Sequence, residues 1–210
     1  NNSHYLSAIL ILIQWLLKGD DQFMFQQISI EHDTINFLIG IDNNNDVLLV
    51  DCSPKNYNKK LNNLSNNLLL RPVELKLCGE NHNDHHGLKH TNTYGASTLK
   101  YIKHDIISDE FGPRLELTMK NDQGLVVKCC YQFYRDISVI RSWVEVKNEG
   151  NNAIGIEYIT SFALYAIDKG TLTHWSESSY LHVIHNSWAN ELQWRKYSLP
   201  ELGLTRTEGE

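Results

Sequence analysis

The densest chemistry-bearing stretch is Gly79-Glu80-Asn81-His82-Asn83-Asp84-His85-His86-Gly87-Leu88-Lys89-His90, which holds four of the chain's ten histidines. Neutral imidazoles beside Glu80 and Asp84 form a donor set that zinc accepts. The spacing matches no zinc signature, and His85 and His86 point to opposite sides of an extended backbone. With almost no apolar residue, the stretch reads as a loop following a strand that ends near Leu77. Its histidines either bond neighbouring backbone or contact a sugar, or else His82, His85, His86 and His90 hold a metal. The loop without metal is the expectation, and no cofactor is expected elsewhere.

A second constellation is His182-Val183-Ile184-His185-Asn186-Ser187-Trp188-Ala189-Asn190-Glu191-Leu192-Gln193-Trp194-Arg195. Flat indole faces beside amides, a carboxylate and a guanidinium suit sugars, which present apolar C–H faces and a rim of hydroxyls. Large aromatics also fill cores, so Trp188 and Trp194 serve either purpose. Six residues apart, they would share one side of an uninterrupted strand, with Glu191 on the other. Trp143, in an alternating segment, reads as core. No Gly-rich phosphate loop and no Gly-x-Ser-x-Gly elbow occurs. Cutting a glycoside needs two carboxyl groups about 5 to 9 Å apart. Glu80, Asp84 and Glu191 are available, but spacing along the chain does not set their separation.

Period-two alternation supplies the elements that position these residues. Ile35, Phe37, Ile39 and Ile41 form one set, Val73, Leu75 and Leu77 a second, and Leu115, Leu117 and Met119 a third. The turn Asn121-Asp122-Gln123-Gly124 leads into Leu125, Val127, Cys129, Tyr131 and Phe133. Cys129 and Cys130 then face opposite ways, with Cys129 packed in the core. Ile140, Ser142, Val144 and Val146 follow, ending at the Asn148 to Asn152 turn. A long strand is expected from Ile154 to Leu164, stopping at Asp168-Lys169-Gly170. Short Asn, Asp and Gly turns between strands indicate antiparallel hairpins, and polar outer faces indicate packed sheets. Leu61, Leu64 and Leu68 give the one weak helical spacing, so a doubly wound parallel sheet is not expected. The fold class is all-β, a large antiparallel β-sandwich.

Composition narrows the functional classes. Across 210 residues, 19 basic and 25 acidic side chains leave a formal charge of −6. A nucleic-acid partner would ask for a basic face, and an anionic membrane for a polybasic segment. The apolar run Tyr5 to Leu17 is shorter than the roughly 20 residues of a membrane-spanning helix. It also lacks the basic leader and small-residue site of a signal peptide. Four cysteines without a disulfide framework, and no signal peptide, place the expectation in a reducing cytoplasm with all four thiols free. The chain lacks an initiating methionine and closes no recognisable element at Glu208-Gly209-Glu210, so it is expected to be part of a longer protein.

Several motifs occur in an order that resembles a known domain. They are Glu80 to Thr91, Tyr131-Gln132-Phe133-Tyr134, Val139-Ile140-Arg141-Ser142-Trp143 and Glu157-Tyr158-Ile159-Thr160-Ser161-Phe162-Ala163-Leu164. His185-Asn186-Ser187-Trp188, Glu191-Leu192-Gln193-Trp194 and Leu199-Pro200-Glu201-Leu202-Gly203-Leu204 continue the series. Together they resemble the N-terminal domain of bacterial α-galactosidases of glycoside hydrolase family 36. The resemblance implies a β-supersandwich over residues 25–210, incomplete at its end, after an unassigned segment 1–24. It also implies a following (β/α)₈ barrel that carries two catalytic aspartates and hydrolyses terminal α-galactosides with retention. Neither aspartate motif occurs here, so no catalytic residue is expected in this chain. The chain would help shape the substrate entrance and the interface of a homo-oligomer. Some relatives send an acidic residue and an arginine from an early loop toward a neighbouring subunit, and segment 43–67 shows no match to them. Trp188, Trp194, Asp84, His85 and His86 are the candidate substrate contacts. The alternative is a free-standing carbohydrate-binding β-sandwich module.

Overall fold

The computed structural model describes residues 26–55, 71–80, 93–164 and 175–204, and these divide into two compact units. In chain order the first holds β1 (Gln26–Ile30), β2 (Ile35–Ile41), β3 (Val47–Pro54), β4 (Leu75–Leu77) and helix α1 (Tyr94–Thr98). It continues with β5 (Lys100–Ser108), β6 (Pro113–Lys120), β7 (Leu125–Phe133), β8 (Ile140–Asn148) and β9 (Ile156–Ile159). The second holds helix α2 (Trp175–Ser178), β10 (Tyr180–Ser187), β11 (Asn190–Ser198) and a 3₁₀ turn, Pro200–Leu202. Tyr5 to Leu17, Leu61 to Leu68, Asp84, His85, His86 and the rest of the histidine stretch, and Asp168-Lys169-Gly170 lie outside the described residues. No helix among the described residues is long and apolar enough to cross a membrane.

The first unit is an antiparallel β-sandwich, as the alternation indicated. One sheet runs β1-β2-β3 and the other β5-β6-β7-β8, each strand hydrogen-bonded to its neighbour in sequence. Alternate residues of each strand face the other sheet. Ile28, Phe37, Ile39 and Leu49 therefore meet Leu115, Leu117, Met119, Val127, Tyr131 and Phe133 in one buried cluster. The Phe37 ring lies 4.9 Å from that of Tyr131 and 5.2 Å from that of Phe133. Tilted and edge-on rings at such distances add to the area they bury. The turn between β6 and β7 follows the expected residues. Asn121 Oδ1 accepts the N–H groups of Gln123 and Leu125, and Gly124 adopts φ 89°, which glycine takes without a Cβ clash.

The long strand expected from Ile154 to Leu164 is shorter, spanning Ile156–Ile159. Its partner β4 has three residues, and a register irregularity falls between Lys76 and Leu77. Beyond it the chain makes single bonds, Thr160 N–H to Glu74 O and Ala163 N–H to Pro72 O, without a regular ladder. Strand β5 was not marked by alternation. Its burial pattern mixes half-buried and exposed residues, because it forms the outer edge of its sheet.

Candidate functional site

The second constellation folds as the hairpin β10–β11. Cross-strand partners run from Tyr180 opposite Ser198 to His185 opposite Gln193, and close at Ser187 opposite Asn190. Trp188 and Ala189 are the two turn residues, with Ala189 at φ 56°. A bulge follows, since Asn186 alone faces both Glu191 and Leu192. Asn186 Oδ1 accepts the Leu192 N–H at 2.8 Å and holds Leu192 at φ 56°. Two non-glycine residues in left-handed backbone within four positions concentrate strain at the tip, a feature common at ligand-contacting sites.

This geometry separates the two tryptophans. Turn and bulge interrupt the strand that would have put both rings on one side. Trp188 stands at the tip, 99% exposed. Trp194 lies within β11, 64% exposed, on the face shared by Tyr180, His182, Ile184 and Lys196. Lys196 Nζ sits 3.7 Å from the centre of the Tyr180 ring, a cation–π contact. The opposite face carries Leu181, Val183, Arg195 and the hydrogen-bonded pair His185 Nε2 and Tyr197 Oη, 2.9 Å apart. An open cleft of about 430 Å³ at the tip is lined by Asn186, Ser187, Glu191 and Leu192. It combines an amide, a hydroxyl and one carboxylate beside a bare indole. Such a set can stack and hydrogen-bond a sugar; glycoside cleavage takes two carboxyl groups, and Glu191 is the one carboxylate among the described lining residues.

The described residues on either side of the histidine-rich stretch belong to the first unit. Before it, Glu80 Oε2 accepts the Leu77 N–H at 3.1 Å, which occupies that carboxylate in closing a turn. After it, Thr93 caps α1, its Oγ1 accepting the N–H groups of Ala96 and Leu75. The Thr93 N–H and O–H both donate to Glu74 Oε2, at 2.9 and 2.6 Å. Glu74 is 2% exposed, although it alternates with the apolar Val73 and Leu75. The two donors of the buried Thr93 cap, its N–H and O–H, are what draw this carboxylate inward. The sequence signal for this arrangement is Thr93 immediately ahead of a short helix. A Cβ at Gly95 would lie 2.6 Å from the Leu75 carbonyl oxygen, so glycine permits the close approach of α1 to β4.

The adjacent thiols face opposite sides of β7, as expected. Cys129 lies in the core, where burial pushes its thiol up to about 12. Cys130 is buried on the other face, 3.9 Å from Glu145 Oε1, with its thiol pushed up by burial to about 11. Neither has the depressed pKa of a nucleophile. Among the described residues no group of three or more His, Cys, Asp or Glu side chains is placed to hold a metal. Comparison with protein-family models finds no match, and comparison with curated proteins finds none either.

Proposed function

We propose that this chain is a non-catalytic N-terminal part of an α-galactosidase-like retaining glycoside hydrolase, working in the cytoplasm. It helps shape the substrate entrance and the oligomer interface of an enzyme whose barrel supplies the catalytic aspartates. The ordered series of motifs supports this reading, and so does the antiparallel sandwich. The observation that carries it is Trp188, fully exposed on a strained tip beside Asn186, Ser187 and Glu191. A tryptophan kept for packing would be buried. In this reading Asp84, His85 and His86 are further candidate substrate contacts, and no metal is involved. The test is Trp188→Ala in the full-length enzyme, with an aryl α-galactoside as substrate. A fall of about tenfold or more in kcat/KM at unchanged Tm is expected, in line with the loss of one stacked ring. Unchanged kinetics would remove Trp188 from the site.

A second reading is a free-standing carbohydrate-binding module, and the exposed Trp194, on the strand face it shares with Tyr180 and Lys196, favours it. Calorimetric titration of the chain alone with galactose or raffinose separates the two. Saturable binding lost in Trp194→Ala selects the module, and no heat of binding selects the enzyme part.

A further inference from the structure

Strand β8 is the last strand of its sheet, and among the described residues its outer edge pairs with no other strand. Its backbone groups on that edge are a template for a further strand. The inner face of β8 is incompletely covered. Val144 packs on the core, but Val146 is 37% exposed. Ile140 and Ser142 line an open, largely apolar groove of about 370 Å³ with Ile35, Cys52, Pro54 and Phe162. The outer face presents Arg141, Trp143 and Glu145 in alternate positions, so Trp143 is half-buried on that face and does not belong to the core as its alternation suggested. Glu145 takes the Lys128 ammonium at 2.9 Å and the Trp143 indole N–H at 3.2 Å, yet its side chain remains 54% exposed. Arg141 lies over the Trp143 ring at 5.5 Å and meets no carboxylate among the described residues.

We propose that β8 pairs antiparallel with β8 of a second copy of this chain, about a two-fold axis through Trp143. Where a sheet continues across such an axis, facing residues share a side, so the register moves in steps of two. With the axis at Trp143, Arg141 of each copy faces Glu145 of the other, and the two indoles meet. On the inner side Val144 comes opposite Ser142, and Val146 opposite Ile140, across the mouth of the groove. An axis at Val144 would set Arg141 against Lys147, and an axis at Glu145 would set the two carboxylates face to face. Like charges directly opposite oppose pairing, whereas opposite charges support it. Of these three registers the charge pattern selects the one centred on Trp143. This pairing depends on the sheet edge alone and is independent of the sugar reading, so Trp188→Ala leaves it intact.

The test is sedimentation velocity of the 210-residue chain over a micromolar concentration series, with hydrogen exchange on the same samples. A dimer is expected, with amides of residues 140–146 exchanging more slowly as concentration rises. Arg141→Glu should weaken association by at least about tenfold, and Arg141→Glu combined with Glu145→Arg should restore it. Val146→Lys, at a position half-open in the single chain, should weaken it independently of the charge pair. Circular dichroism confirms that each variant retains its strands. A monomer at every concentration overturns the proposal. So does a dimer indifferent to Arg141→Glu and Val146→Lys, or β8 protection that does not change with concentration.

Discussion

Glu149 follows β8 and receives Lys147 Nζ at 2.8 Å and Lys120 Nζ at 3.0 Å. The hydrogen bond from Lys147 first, then that from Lys120, lowers its carboxyl from 4.5 to about 2. A folded-state value below the unfolded one means that the contribution to stability is present above about 4.5. It is lost as pH falls from there toward 2. Urea melts at several pH values should show Glu149→Gln losing less stability than the parent over that interval, and parallel acid limbs would contradict it. The thiols give a second residue-scale expectation. At pH 8 an alkylating reagent should label exposed Cys78 and spare Cys129 and Cys130 until the chain unfolds, because both are buried and strongly protonated. Peptide mass mapping of labelled native protein checks this. Which face each thiol occupies was legible in the alternation of β7. How far burial raises each pKa was not, because that depends on the opposite sheet and on Glu145.

At the scale of elements, the hairpin β10–β11 is held at its tip by a side-chain bond, Asn186 Oδ1 to Leu192 N–H. Asn186→Ala removes the acceptor that fixes the bulge. A loss of about 1 kcal/mol in local stability is expected, read as faster amide exchange at His185 and Gln193. Unchanged exchange would show that the bulge stands without it. The polar and aromatic character of this segment was plain from residue types. Its bulge was not, since alternation in sequence cannot reveal where one strand carries an extra residue. Together with the turn at Trp188-Ala189, that extra residue removes the uninterrupted strand on which the even spacing of Trp188 and Trp194 would share one side. Pro200–Leu202 follows β11, where Glu201 Oε2 accepts the Ser198 N–H and O–H. The Ser198 backbone N–H is the main cause of its lowered carboxyl pKa.

For the whole molecule, the sandwich depends on residues where the two sheets meet. Phe37 is 2% exposed and touches Tyr131 and Phe133 across that interface. Phe37→Ala should cost about 3 to 5 kcal/mol, the lost transfer energy plus a cavity that close-packed neighbours fill poorly. A chemical denaturation midpoint gives the value. A loss under about 1 kcal/mol would mean that the two sheets are not packed through this ring.

The sequence by itself determined the strand character, the antiparallel order and the core face, from Phe37 and Ile39 through Leu117 to Tyr131. Period-two burial and Asn- and Gly-rich turns are local properties, and they are written into neighbouring residues. The tertiary structure decided the rest. It drew Glu74 inward to satisfy Thr93, cut β9 to match its three-residue partner, and left β8 at the edge of its sheet. Each of these depends on which residues distant in sequence come to lie side by side. Such contacts are fixed when two faces pack and unpaired polar groups find partners, and no short window of sequence contains both sides of them.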